Sequence, residues 1–249
     1  MNTPTNLEPD TPDATSDSPK LANDVTMLRH NKIDLALHRL RDATDPSARP
    51  LLLLHGLGDQ TPAATPEWVD LWGGAITGLD FTGHGASSIP QGGGYTAELL
   101  LGDADAALAA LVAESPDGRI TVLGRGLGAY IGLQLAGARA SQVHGAIVLD
   151  GPGLAGGPTG PTSQSFFSLP PSTVTPDPYA LVELGRDLRP PDYVRSFVQL
   201  AIAGSELDEP IAVCSVFRPD WLDAVAGEHG VMDVPLAEAL ESYAAPAIA

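Results

Sequence analysis

Short apolar runs alternate with longer amphipathic stretches along most of the chain. Runs with the length and composition of buried strands occupy residues 50–55, 74–81, 120–123, 144–149 and 211–217. An apolar stretch predicts a helix over 127–138, and a helix over 96–114 is predicted by the helical spacing of Leu100, Leu101, Ala104, Leu108 and Leu111. Because strands alternate with helices, the pattern favours an α/β fold with a mostly parallel sheet covered on both faces.

Further elements are predicted on either side of this central pattern. Strands at 27–31 and 33–41 precede the first buried run, and a short helix at 66–72 begins at a proline. Two helices are predicted near 179–187 and 192–203, followed by a short strand at 231–234 and a closing helix at 235–243. Together these elements predict a sheet of about eight strands, with helices on both faces and a small helical cap.

Composition divides the chain into four segments. Residues 1–24 are polar, acidic and proline-rich, and we expect them to form a disordered tail. Residues 25–150 and 208–249 are expected to form the two parts of the sheet core. A cap insertion at 151–207 separates them and opens with a loop rich in Gly, Pro, Ser and Thr. The amino-terminal residues lack the basic and apolar regions of a secretory signal, and no apolar run is long enough to cross a bilayer.

Charge narrows the range of partners. The chain carries 31 acidic and 13 basic side chains, a formal net charge of −18. Such a charge repels nucleic acids and anionic membranes, so neither is expected as a partner. Cys214 is the only cysteine, which excludes an internal disulfide and suits a cytoplasmic protein.

Metal and cofactor sites are not indicated either. His55, His84, His144 and His229 lack the spacing of metal ligands, and one cysteine cannot form a thiolate zinc site. The glycine-rich stretches match neither a dinucleotide-binding nor a phosphate-binding loop. We therefore expect no cofactor.

Candidate chemistry lies where predicted strands end. Residues 54–58 read Leu-His-Gly-Leu-Gly, and residues 80–87 read Asp-Phe-Thr-Gly-His-Gly-Ala-Ser. Residues 124–128 read Gly-Arg-Gly-Leu-Gly between a buried strand and an apolar helix. That is the layout of the Gly-x-Ser-x-Gly nucleophile elbow, with Gly126 in place of the serine. Glycine has no atom that can attack a carbonyl, so the usual nucleophile is missing.

With these three motifs in order, the chain resembles the α/β-hydrolase fold superfamily from about Val25 onward. The resemblance implies that backbone N–H groups around Gly56, Leu57 and Leu127 form an oxyanion hole, and that His84 is structural. The elbow itself is similar to that of the N-myc downstream-regulated family, whose members keep the fold without hydrolase chemistry. We therefore expect Gly126 to mark a vestigial nucleophile position.

The other groups of a catalytic triad are matched only in part. Asp220 occupies the place of the family's acid, and Asp150 offers a second acid at the end of a strand. Asp150 has an equally good structural role, in which it hydrogen-bonds the turn that follows it. His229 lies only nine positions after Asp220, too few for the helix and strand that normally separate acid from histidine. We expect that His229 is not the triad histidine.

Two functions remain open. The favoured one is a non-catalytic protein that binds a small apolar or ester-like molecule between cap and sheet, or a protein partner. Its vestigial site would be lined by His55, Gly56, Leu57, Gly126, Leu127 and Asp150. The alternative is a hydrolase of an ester, lactone or related carbonyl compound, in which His55 or His84 activates water and the N–H groups of Leu57 and Leu127 hold the oxyanion. A structural interaction module is a third class, and a closed site with no room for a ligand would favour it.

Overall fold

An eight-stranded sheet runs through the computed structural model, which describes residues 24–30, 32–157, 169 and 172–244. Its strands are β1 (Asp24–His30), β2 (Ile33–Arg41), β3 (Leu51–Leu54), β4 (Ile76–Leu79), β5 (Ile120–Arg125), β6 (Val143–Leu149), β7 (Ile211–Val213) and β8 (Val231–Asp233). The helices are α1 (Ala97–Val112), α2 (Leu127–Ala138), α3 (Pro178–Gly185), α4 (Pro191–Gly204), α5 (Asp220–Ala226) and α6 (Leu236–Ala244). A single 3-10 turn spans Glu67–Val69 between β3 and β4.

The strands lie in the order β1-β2-β4-β3-β5-β6-β7-β8. β2 pairs antiparallel with both β1 and β4, and the remaining pairs are parallel. The central strand β3 is apolar and buried along its length, and β5 is buried up to its last residue, the exposed Arg125, as is typical of parallel strands between two layers. The predicted α/β fold with a mostly parallel sheet of about eight strands is confirmed.

The two faces of the sheet are covered unequally. Buried side chains of α1, α2, α4 and α5 pack on one face with Leu52, Leu54 and Val122. The other face packs against α6 and the residues around the 3-10 turn, through Tyr243 and Trp72. Parallel neighbours such as β3 and β4 are usually joined through a helix, but their crossover contains only the three-residue turn. Loop therefore covers part of the second face.

The structure differs from the predicted elements in three places. The helix predicted at 66–72 is the 3-10 turn, and the strand predicted at 211–217 ends at Val213. Helix α5 was not predicted, because two turns are too short for a clear helical period. Its start after Pro219, with Asp220 and Asp223 in the first turn, is a recognisable helix signal. Of the expected tail 1–24, only Asp24 lies within the described residues, as the first residue of β1.

The chain boundaries of core and cap stay predictions. α4 packs against the helices that flank the sheet, through buried Val194, Val198 and Ala201. α3, which precedes α4 in the chain, also lies within the predicted cap segment. None of the helices in the described part of the chain has the length and apolar character needed to cross a bilayer.

Close contact of α2 with β5 and with the end of β3 depends on two glycines, Gly124 and Gly128. A Cβ on Gly124 would lie 2.6 Å from Cα of Ala129, and one on Gly128 would lie 2.6 Å from the carbonyl oxygen of His55. Real Cβ atoms do not approach backbone so closely, so the strand and helix can lie this near only because both positions lack a side chain.

We expect Gly128→Ala to lower the free energy of unfolding by about 3 kcal/mol, since the added methyl meets backbone that cannot move aside cheaply. Gly227→Ala is the matched control, because a Cβ there has only ordinary contacts, at 3.6 Å and beyond. Urea denaturation of both variants gives the comparison. Equal stabilities would mean that the contact between α2 and the end of β3 is looser than described.

Candidate active site at the strand-to-helix turn

Gly126 forms the turn between β5 and α2. Its φ of 56° and ψ of −118° lie in a region that side-chain-bearing residues rarely adopt. Holding a non-glycine residue there costs about 1–3 kcal/mol. Its N–H donates to the carbonyl of Leu149 at 3.1 Å, which fixes the turn against the end of β6. The strained geometry of a nucleophile elbow is thus present around a residue that has no nucleophile.

The carbonyl oxygen of Pro152 occupies the expected oxyanion hole. It accepts hydrogen bonds from the N–H groups of Leu57 and Leu127, each at 2.9 Å. These are the two donors that would hold the negatively charged oxygen of a reacting substrate. A carbonyl oxygen carries partial negative charge and satisfies both donors, so the main chain of the protein fills the hole.

The segment that carries this carbonyl, residues 151–154, is here termed the blocking loop. A Cβ on Gly126 would overlap the Pro152 carbonyl oxygen and lie 2.6 Å from the carbonyl carbon of Gly151. A Cβ on Gly56 would lie 2.8 Å from Cδ of Pro152. The blocking loop therefore excludes a side chain at the nucleophile position as well as an oxygen atom from the oxyanion hole.

Two buried side chains hold the blocking loop. The Arg189 guanidinium donates to the carbonyls of Gly153 and Leu154 and lies 4.8 Å from the ring centre of Tyr130. Burial lowers the pKa of Arg189 to about 10, which leaves it charged at neutral pH. Nε1 of Trp221, in α5, donates to the Leu154 carbonyl at 2.8 Å. The loop is therefore anchored in the core.

His55 lies beside this site, with both ring nitrogens bonded to the backbone. Its Nδ1 donates to the Gly56 carbonyl at 2.7 Å, and its Nε2 accepts the N–H of Phe81 at 3.1 Å. A backbone N–H can only donate, so the ring must be the neutral tautomer with its proton on Nδ1. Burial is the main cause that lowers the pKa of His55 to about 4, and neighbouring His84 adds to it.

His84 is bonded in the same way. Its Nε2 accepts the N–H of Gly58 at 3.2 Å, and its Nδ1 donates to the Thr82 carbonyl at 3.1 Å. Burial lowers its pKa. The two rings lie 5.1 Å apart and together join the loops that follow β3 and β4. His84 has the structural position that the resemblance implied.

Asp150 fixes a different loop from the one considered in the sequence analysis. Its carboxylate accepts the hydroxyl of Ser215 and the N–H groups of Val216, at 2.9 Å, and Phe217, at 3.2 Å. These residues follow β7, so Asp150 ties the ends of β6 and β7 together. The turn at Gly151–Gly153 that directly follows Asp150 is held instead by Leu57, Leu127 and Arg189.

Asp220 and His229 are not brought together with the turn at Gly126. Asp220 is the exposed first residue of α5, after the carboxyl end of β7. His229 precedes β8 and therefore lies at the amino ends of the parallel strands, whereas Gly126 lies at their carboxyl ends. In the described residues that follow β8, up to residue 244, there is no histidine. Asp233, the last residue of β8, pairs with Arg218 at 2.8 Å.

A histidine–aspartate pair does occur, at residues that the sequence analysis did not select for this purpose. Nε2 of His38 lies 2.9 Å from Asp80. The Asp80 carboxylate also accepts the N–H groups of Thr61, at 2.7 Å, and Ala86, at 2.8 Å. The pair connects β2 to the loops after β3 and β4, which is a structural arrangement. In the part of the chain that the structure describes, no group of three or more His, Cys, Asp or Glu is placed to hold a metal ion.

Comparisons with solved structures give partial matches. The thioesterase domain from the curacin biosynthetic pathway is 23% identical with a TM-score of 0.42, over 52% of this chain and 44% of that one. A hydrolase from Pseudomonas aeruginosa PA01 is 26% identical with a TM-score of 0.41, over 52% and 46%. The enol-lactonase from Burkholderia xenovorans LB400 is 21% identical with a TM-score of 0.40, over 50% and 46%. The chain thus spans less than half the length of each.

Sequence comparison identifies the family. No curated protein sequence matches the chain. The family model described as Serine aminopeptidase, S33, matches residues 45–177, more than half of the 249 residues. The matched part contains the loop after β3, the turn at Gly126 and the blocking loop. The chain therefore belongs to the Serine aminopeptidase, S33, family of α/β-hydrolases.

Proposed function

We propose that this protein has lost the hydrolase activity of its fold and acts by binding. One observation carries the proposal: the carbonyl oxygen of Pro152 lies 2.9 Å from each of the two oxyanion-hole nitrogens, beside a residue with no nucleophile. Loss of a single oxyanion-hole donor typically slows acyl transfer about 10²–10³-fold. Here both donors are already engaged, so the site supports neither attack nor stabilisation of the resulting charge.

The alternative, a hydrolase in which a histidine activates water, has less support. A general base needs a free ring nitrogen within hydrogen-bond reach of the water. Both nitrogens of His55 and of His84 are bonded to the backbone instead. The same reaction would also need the two N–H groups that the blocking loop occupies.

Cavities beside the blocked site favour binding over a purely structural role. A cavity of about 580 Å³ lies next to the loop after β3, and one of about 990 Å³ lies between residues 85–92 and 172–179. Both are within the size range of small-molecule sites. A ligand placed directly over Gly126 would have to displace Pro152. We therefore propose that a small molecule binds in one of these cavities rather than over Gly126, in a cytoplasmic protein; a protein partner is the other proposed occupant.

We expect that neither the wild type nor Gly126→Ser will turn over p-nitrophenyl butyrate or react with a fluorophosphonate probe. A serine hydroxyl needs a base and an open oxyanion hole, and the structure supplies neither. Gly126→Ser should also lower the free energy of unfolding by about 3 kcal/mol, because the side chain meets the blocking loop in a strained backbone.

Gly227→Ser is the matched control for this experiment, since it adds a serine where there is room. It should be as inactive as the wild type and as stable. A rise in turnover of about a thousand-fold or more in Gly126→Ser would show that a functional acid and base are in place and would contradict the proposal. Stoichiometric labelling of any wild-type serine, located by mass spectrometry, would do the same.

The protonation of His55 tests the alternative directly. Its folded-state pKa is lowered to about 4, below the ordinary value of about 6.5. As pH falls from about 6.5 towards 4, the unfolded chain binds this proton first, so the stability that neutral His55 contributes is full above pH 6.5 and declines below it.

We expect ring ¹⁵N shifts to report neutral His55, protonated on Nδ1, down to about pH 5. His55→Asn identifies the signal, which matters because burial also lowers the pKa of His144 to about 4. A His55 midpoint near neutral pH would instead suit a catalytic base and would favour the hydrolase alternative.

A further inference from the structure

The crossover from β3 to β4 leaves a cavity over the second face of the sheet. Its volume is about 580 Å³, and Leu53 and Leu123, on neighbouring strands, lie against it. Pro62, Pro66 and Trp68 line it from the crossover, and the Trp68 side chain is 40% exposed. Loop in place of a helix accounts for the space. The cavity is therefore a pocket with apolar surface and an accessible aromatic ring.

Most of this cavity lies on the face of β5 away from α2, and at the edge of the sheet it also reaches Leu54, His55 and Gly58. Side chains alternate between the faces of a strand, so Leu123 and Arg125 share one face of β5 and Gly124 faces the other. A Cβ on Gly124 would contact α2, which places α2 on the opposite face from Arg125. Leu123 and Arg125 both line the cavity. The blocking loop is therefore not what closes or opens this pocket.

Arg125 is the informative charge in the cavity. Within the described residues its guanidinium has no ion pair or hydrogen bond, although the chain carries 31 carboxylates and only 13 basic groups. Each of the other ten arginines has a partner. Seven pair with carboxylates: Arg29, Arg39, Arg49, Arg119, Arg139, Arg195 and Arg218. Arg41 and Arg189 donate to backbone carbonyls, and Arg186 also has an interaction. Arg125 is exposed at the edge of the cavity, so its guanidinium is available to pair with an anionic ligand bound there.

His55, Asp59, Gln60 and Thr61 are the other polar side chains that line the pocket. Thr61 is buried, and its Oγ1 has no hydrogen-bond partner among the described residues. Its backbone N–H is held by Asp80 at 2.7 Å, so this part of the wall has a fixed position. The exposed Asp59 also lines the pocket. Asp59 would repel any negative charge close to it, so a ligand carboxylate would have to lie on the Arg125 side of the pocket, and a second carboxylate would be disfavoured.

We propose that this cavity binds a small monocarboxylate with an apolar, preferably aromatic, body. The carboxylate would pair with Arg125, and the body would lie against Leu53, Leu123 and the ring of Trp68. A guanidinium and a carboxylate form paired, charge-assisted hydrogen bonds, and an apolar body gains from leaving water. The proposal rests on the proposed binding function, but not on the loss of catalysis.

Isothermal titration calorimetry with 3-phenylpropionate and its neutral amide, 3-phenylpropanamide, tests this proposal. We expect the wild type to bind the acid at least about tenfold more tightly than the amide. Arg125→Gln should weaken binding of the acid by about tenfold or more and leave binding of the amide unchanged, because only the acid pairs with the guanidinium. Phenylsuccinate, with two carboxylates, should bind less well than 3-phenylpropionate.

Arg139→Gln is the matched control, since this exposed arginine lies beyond the far end of α2, about 18 Å along the helix from Gly126. It should bind both probes as the wild type does. Trp68→Ala should weaken the acid and the amide alike, and circular dichroism melts identify any variant that fails to fold.

Equal affinity for acid and amide, no loss with Arg125→Gln, or no heat from either probe at about 10 mM would overturn this proposal. Those outcomes leave the predicted absence of ester turnover untouched. Ester turnover by the wild type would instead refute the loss of catalysis, while an Arg125-dependent affinity for the acid would still stand. The two proposals can thus fail separately.

Discussion

Two hydrogen bonds to one carbonyl oxygen determine the state of this site. The N–H groups of Leu57 and Leu127 belong to a loop and to a helix start, where backbone donors have no partner within their own element. A buried donor left without a partner costs about 1–3 kcal/mol, so something must accept both. In this protein Pro152 does so, and the bonds join the segments that follow β3, β5 and β6. The fold stabilises itself with the donors that a hydrolase reserves for its reaction.

The position of Pro152 is possible only because Gly126 has no side chain. A Cβ at residue 126 and the Pro152 carbonyl oxygen would occupy the same space. Arg189 and Trp221 then fix the following carbonyls, so the position of the loop is also set from α5 and from the segment before α4. Restoring a nucleophile would therefore require the main chain to move and several buried hydrogen bonds to be replaced. A single substitution supplies only the hydroxyl.

The architecture could be predicted from the sequence because strands and helices are marked by patterns of side chains. The apolar runs that became β3, β5 and β6 and the apolar stretch of α2 were recognisable, as was the glycine at the elbow. The blocking loop was not recognisable, because the atom that fills the site is a backbone carbonyl oxygen. Every residue, including proline, has this group, so no side-chain pattern marks it. The bonding of His55 and His84 was hidden for a related reason: their partners are backbone atoms brought near by the fold. Asp150 was recognised as a residue that holds a turn, but which turn it holds depends on the pairing of β6 with β7.

The geometry of a β-strand explains how the two proposals can concern the same end of β5. Arg125 and Gly126 are adjacent in sequence, yet the alternation of side chains places Arg125 on the face away from α2, while the turn at Gly126 meets the blocking loop. The proposed blocked site and the proposed pocket, whose Arg125 has no partner among the described residues, can therefore occupy the same strand end. Selection for binding at the second face would preserve the sheet and its turn, because Arg125 keeps its position only while β5 keeps its pairing.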